Sequence, residues 1–292
     1  MPVSREGALR EASVGKRLPV WAVVTRSYGY VWDHRALLAV PLLLVFAVNL
    51  LGSIYAQHAI AAAGGPQFVP KGLILLISFA LLVFSMSVIV GIHRTVLLDE
   101  TRQGVGFLRL DGNLLRYLGA WIMLALLAGL FAVIFLLLLV VAGFATGFIK
   151  RHAPGEGVIS LLAITVAFLL GVFFLRFMLA LPAAAVGSAD GLGVSWSATR
   201  GNWLRLLAAG ILTSLPFVAL DIALAIPAMV HAMSALHADV QKPVVQPIAI
   251  LIASALVKAV DLAVLTVMLS LSYDVLVRGG GPVNIETPGA QP

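Results

Sequence analysis

The chain has no cysteine, and Asp, Glu, Lys and Arg together supply only 11% of its 292 residues. The first absence excludes disulfides, thiolate metal centres and cysteine nucleophiles. The second excludes an ordinary soluble domain, in which about 25% of residues are charged. Glutamate is scarce as well: Glu6, Glu11, Glu100, Glu156 and Glu286 are scattered outside the apolar runs. A metal-dependent phosphodiesterase needs clustered carboxylates, and Asp99-Glu100 is the one adjacent acidic pair. The six histidines are dispersed, and His231 and His237 lack the i, i+4 spacing and the third ligand of a zinc site. Gly104-x-Gly106 is followed by Arg109 where a dinucleotide fingerprint has its third glycine, and Ser188 is not central in a nucleophile elbow. No catalytic residue, metal or cofactor is expected, and nothing resembles a nucleic-acid reader.

What the sequence has in abundance is apolar surface: 61% hydrophobic residues and a mean hydropathy of +1.06. No soluble core hides that much at this length, so the solvent is lipid. A helix needs about 20 apolar residues to cross about 30 Å of hydrocarbon. Six runs qualify, at residues 36–56, 72–92, 118–148, 158–181, 206–233 and 248–273. The expected fold is an all-α integral membrane protein of six transmembrane helices, occupying residues 17–278. Residues 1–16 and 279–292 are expected to be mobile tails, the latter rich in Gly and Pro. The first apolar run is too long for the apolar core of a cleavable signal peptide. Pro41, Pro216 and Pro227 lie inside spans, where each frees a carbonyl.

Charge placement gives the orientation. With the N-terminus cytoplasmic, 13 of the 19 basic residues fall on the inner side, from Arg5 to Arg278. Only Lys71, Lys150, Arg151 and Lys242 fall outside, and Arg176 and Lys258 lie within spans. The positive-inside rule therefore puts both termini in the cytoplasm. Trp21, Trp32, Trp121, Trp196 and Trp203 all lie on or next to that side, as suits amphipathic rings at a headgroup layer.

The inner segments also repeat. Residues 104–122 read GVGFLRLDGNLLRYLGAWI and residues 193–211 read GVSWSATRGNWLRLLAAGI, a gapless match at an offset of 89 with nine of nineteen positions identical. Two spans separate the copies, so the repeat is parallel, and residues 14–35 form a weaker third copy. The chain then reads as three hairpins, each introduced by an amphipathic cytoplasmic segment. Within the copies, Asn113 and Asn202 are expected to cap or turn the chain. Arg116 and Arg205, with Trp196 and Trp203, are expected to reach phospholipid headgroups. The residues Gly193, Ser195, Trp196, Thr199, Arg200, Gly201, Asn202 and Arg205 resemble a pattern in uncharacterised bacterial six-helix proteins. Those are related to the membrane domain of some glycerophosphoryl diester phosphodiesterases. The resemblance implies a bacterial inner membrane and no catalysis, because catalysis in that family belongs to a soluble domain with no counterpart here.

Ionisable residues inside spans carry the second functional signal: Arg176, Asp221, Lys258 and Asp261. Each costs at least about 2.5–3.5 kcal/mol at a bilayer centre unless it meets a partner or water. Lys258 and Asp261 are spaced i, i+3, and Asp221 on the preceding span lies within roughly 7 Å of the same depth. These three are expected to form an intramembrane cluster that fixes helix packing or lines a path for a transported ion or solute. Arg176 is expected to snorkel as an anchor. Two function classes follow. One is a non-catalytic membrane protein that contacts phospholipid, a protein partner or a second copy through the repeated segments. The alternative is a small transporter using Asp221, Lys258 and Asp261.

Overall fold

A computed structural model describes residues 17–63, 71–100, 107–108, 111–145, 165, 169–188, 191–237 and 246–279, and all regular structure among them is helical. The helices are α1 (Val20–Asp33), α2 (Arg35–Ala63), α3 (Lys71–Leu98), α4 (Gly112–Ala145), α5 (Ala180–Ala185), α6 (Gly191–Ala198), α7 (Trp203–His237) and α8 (Ile248–Tyr273). A single wide turn, Asp274–Arg278, extends α8. Five stretches are long and apolar enough to cross a membrane: Arg35–Ala59, Ser78–Leu98, Gly112–Leu137, Trp203–Pro227 and Ile248–Arg278. The protein is thus a multi-pass, all-helical membrane protein. The large side chains left exposed along α4, such as Leu126, Leu130, Val133 and Leu137, are those a lipid solvent tolerates. Of the run expected at 158–181, residues 169–181 belong to the shorter apolar helix Leu169–Ala185. The expected tails, 1–16 and 279–292, lie outside the described residues except for Gly279.

The chain divides into two compact units. The described residues of one come from Pro19–Leu114 and Ala208–Leu271. In it, α1 buries Val23, Val24 and Ser27, the i, i+1, i+4 stripe of an amphipathic helix. Trp21 and Trp32 on its other faces are 70% and 69% exposed. His34 alone separates α1 from α2, and the Arg35 guanidinium lies 5.0 Å from the Trp32 ring. Helices α2 and α7 both continue through their internal prolines. The core is built around α3 and α8, with Val88, Val90, Ile92, Ala259, Ala263 and Val267 almost wholly buried. His93, fully buried, sits with Nδ1 2.7 Å from Ser270 Oγ. The hydroxyls of Ser270 and Thr266 donate to the carbonyls four residues back, so these polar groups are satisfied inside the helix. At the end of α3, Arg94 pairs with Glu100, and Asp99 turns the chain with a φ of 54°.

On α1, Tyr30 stacks on His34 at 4.0 Å. Burial, with the Asp99 carboxylate as a lesser cause, pushes its hydroxyl from 10.0 up to about 12. Between those values the unfolded chain has lost this proton and the folded protein keeps it, so stability falls as pH rises from about 10 toward 12. In a titration of the thermal midpoint the Tyr30→Phe variant is expected to lose this part of the decline. Equal decline in both proteins would contradict the assignment.

The other unit draws its described residues from Met1–Leu18, Leu115–Leu207 and Ser272–Pro292. Its centre is α5, all six residues of which are buried, with α6 packed on it and the wide turn Asp274–Arg278 packed on α6. A Cβ at Gly191 would stand 3.4 Å from the Ala180 carbonyl oxygen, an ordinary van der Waals contact, so the approach of α6 to α5 does not require glycine there.

Candidate functional site

In the unit containing α5 and α6, the segment ahead of α5 is not a regular helix. Arg176, Phe177 and Met178 donate their N–H groups to Phe173, Phe174 and Leu175, and Ala180 and Leu181 donate to Phe177 and Met178. These are all i→i−3 bonds, the tighter 3₁₀ pattern. Pro182 supplies the cause, because it has no N–H for the Met178 carbonyl and its ring crowds that group. In an α-helix the Arg176 carbonyl would accept from Ala180, whose N–H has gone to Phe177. A hydroxyl of α6 replaces it: Ser195 Oγ donates at 2.8 Å, while Thr199 Oγ1 lies 3.2 Å from the same carbonyl and 2.8 Å from that of Ser195, between which its one proton is shared.

The same residues bring Trp196 onto Arg176. The guanidinium carbon stands 3.6 Å from the centre of the Trp196 ring, the distance of a face-on cation–π contact. Phe177 stacks on Trp196 at 5.4 Å, and Phe173 joins Phe177 to Phe131 of α4 at 5.1 and 4.1 Å. Among the described residues none accepts a hydrogen bond from the guanidinium, and its Nε is buried without a partner. Trp196 is still 42% exposed. The result is a cation held flat on an aromatic wall with its donors uncommitted.

The expected headgroup residues divide on inspection. Arg116 is exposed, and Trp203 is half-buried. Asn202 is buried, and its side-chain oxygen accepts from the Leu18 N–H at 3.0 Å. Arg205 Nη1 donates to the carbonyl of the same residue at 3.2 Å. Both backbone polar groups of Leu18 are thus held by side chains from the repeat, which gives Asn202 and Arg205 a tethering role. Asn113 does not cap α4 either. That is done by Asp111, whose Oδ1 accepts from Asn113 N at 3.0 Å and Leu114 N at 3.3 Å. The repeat partners also differ in conformation: Gly201 has a φ of 81°, whereas Gly112 begins a helix. Phe107 is 1% exposed, unlike its counterpart Trp196.

In the unit built on α3 and α8, the two aspartates meet serines rather than the lysine. Ser254 Oγ of α8 donates to Asp221 Oδ1 of α7 at 3.2 Å. Ser214 of α7 donates to the Asp261 side chain of α8. The bonds descend one helix as they climb the other, so α7 and α8 run antiparallel here, with each serine seven residues before an aspartate. Seven residues make almost two full turns, which puts Ser214 with Asp221, and Ser254 with Asp261, on one helix face. Lys258 is exposed and makes no ion pair with either aspartate. The expected three-charge cluster therefore does not form. At about 100° per residue Lys258 is turned roughly 40–60° off the Ser254–Asp261 line, and its long chain is free to leave.

Asp261 Oδ1 remains buried without a partner, and so does Oγ1 of Thr213, next to Ser214. The Tyr28 hydroxyl donates to the Thr213 carbonyl at 2.6 Å, and its ring stacks on Phe217 at 6.0 Å. His231 and His237 lie where side chains are outside the described set. No family model, no curated protein and no solved structure matches the chain.

Proposed function

We propose that this is a non-catalytic protein of a bacterial cytoplasmic membrane that holds phospholipid headgroups at the inner face, chiefly through Arg176 and Trp196. The observation that carries the reading is the guanidinium lying 3.6 Å over the Trp196 ring with no described acceptor for its donors. A guanidinium presents a planar fork of N–H groups that matches phosphate oxygens, and stacking fixes that fork before the ligand arrives. Phe131, Phe173 and Phe177 beside it offer an apolar surface to the acyl region. Exposed Arg116 supplies a second, weaker contact.

In this reading residues 158–181 provide a sixth span, the six spans form three hairpins, and both termini are cytoplasmic. The distribution of basic residues and tryptophans supports that orientation. The nine identities between 104–122 and 193–211 support a duplication whose copies have since diverged in local structure. Of the residues that resemble the phosphodiesterase membrane domain, Ser195, Thr199, Asn202 and Arg205 hold the segment in place, and Trp196 supplies the wall.

Native mass spectrometry of gently extracted protein tests the assignment. Wild type is expected to retain phospholipid. Arg176→Gln, which loses charge-assisted hydrogen bonds worth about 1.5–3 kcal/mol, should retain it roughly ten- to a hundredfold more weakly. Arg205→Ala should keep its lipid. Equal retention in Arg176→Gln, or loss confined to Arg205→Ala, would contradict the proposal.

A further inference from the structure

We infer that Asp261, Ser214, Thr213 and Tyr28 form a binding site for a sodium-class monovalent cation, distinct from the headgroup contact and independent of it. Two oxygens without partners mark the place. Thr213 is 0% exposed and its hydroxyl has no partner, and Asp261 Oδ1 is likewise buried and unpartnered. An unmet buried polar group costs about 1–3 kcal/mol, and an uncompensated buried charge costs more. The two residues are neighbours in the bonding pattern. Ser214, which follows Thr213, donates to Asp261, and Tyr28 donates to Thr213's own carbonyl and feels the Asp261 charge. Pro216 contributes locally by leaving the Leu212 carbonyl, one residue before Thr213, without its helical donor.

The donor set decides the ion. It consists of one carboxylate with hydroxyl and carbonyl oxygens, all hard ligands suited to alkali and alkaline-earth ions and not to soft metals. One carboxylate balances one positive charge, and a neutral sum is what a site inside a membrane span requires. A divalent ion would need a second carboxylate. The nearest, Asp221, is engaged by Ser254, two turns or about 10.5 Å along the helices from the Ser214 bond. Lys258 supplies no internal countercharge, being exposed.

Binding of radiolabelled sodium to the purified full-length protein in detergent tests this. Wild type is expected to bind saturably, with displacement by unlabelled sodium and not by choline. Asp261→Asn should abolish binding, and Lys258→Ala should leave it unchanged. Thr213→Val keeps the side-chain shape and removes one oxygen, so affinity should fall roughly tenfold or more. Without sodium, that variant should be at least as stable as wild type, because a buried unpartnered hydroxyl has gone. That combination separates a lost ligand from a lost fold. Absence of saturable binding in wild type, wild-type affinity in Asp261→Asn or Thr213→Val, or displacement by calcium in preference to sodium would overturn the inference.

Discussion

Asn202→Ala is expected to destabilise the protein by about 1–3 kcal/mol, read as a lower midpoint in thermal unfolding in detergent. The cost comes less from the bond that is lost than from the group left behind. Leu18 is 0% exposed, and its N–H has the Asn202 side-chain oxygen as acceptor at 3.0 Å. Alanine offers no acceptor, and a buried donor cannot turn to water. Arg205→Ala strips the carbonyl of the same residue, but Arg205 is only half-buried, so water can replace it in part and the loss should be smaller. Both hold one residue, so the double variant should lose less than the two losses added together. Additive losses, or an Asn202→Ala midpoint equal to wild type, would contradict the tether.

Gly91→Ala is expected to cost about 1–3 kcal/mol through overpacking. A Cβ at Gly91 would fall 2.4 and 2.6 Å from two carbons of the Phe107 ring and 2.8 Å from the Phe107 carbonyl oxygen. Rotating the ring could relieve the first two contacts, though Phe107 is 1% exposed and has little room. The third involves backbone and persists in every rotamer. Gly129→Ala in α4 is the control, because nothing lies within 4 Å of its Cβ position. There alanine should gain up to about 1 kcal/mol of helix propensity. Similar midpoints for the two variants would show that the approach of Phe107 to α3 does not constrain the fold.

The membrane character and five of the helices were legible because lipid selects long apolar runs. The runs at 36–56 and 248–273 fall on α2 and α8, the second with identical bounds. Most helices run past their apolar windows, as α3 does through Arg94 and Thr95. Hydropathy marks the hydrocarbon, whereas the backbone ladder continues wherever polar side chains can find partners. Thr95 does so by donating to the Gly91 carbonyl.

The candidate site was less legible. Arg176 reads from sequence as a snorkelling anchor, and the break that frees its carbonyl depends on Pro182, one residue beyond the apolar window used for that span. A proline four residues after Met178 was the available signal. The roles of Ser195 and Thr199 depend on a contact across 19 and 23 residues, which no local pattern encodes. In the α7–α8 pair, charge drew attention to Lys258, yet the informative pattern was a serine seven residues before each aspartate, 214 before 221 and 254 before 261. Opposite charges at i, i+3 read as a pair, while hydroxyl–carboxylate bonds between helices do the joining. The repeat led to equivalent roles for Asn113 and Asn202. They differ because Asp111 caps the first copy, whereas the second has Arg200 at that place.

The most direct test of the headgroup assignment is photo-crosslinking with a phospholipid carrying its reactive group on the headgroup, followed by peptide mapping of the adduct. The account predicts that the label concentrates on the segments carrying Arg176 and Trp196, and that Arg176→Gln removes it. Label spread evenly over the inner-face segments, or unchanged in Arg176→Gln, would contradict it.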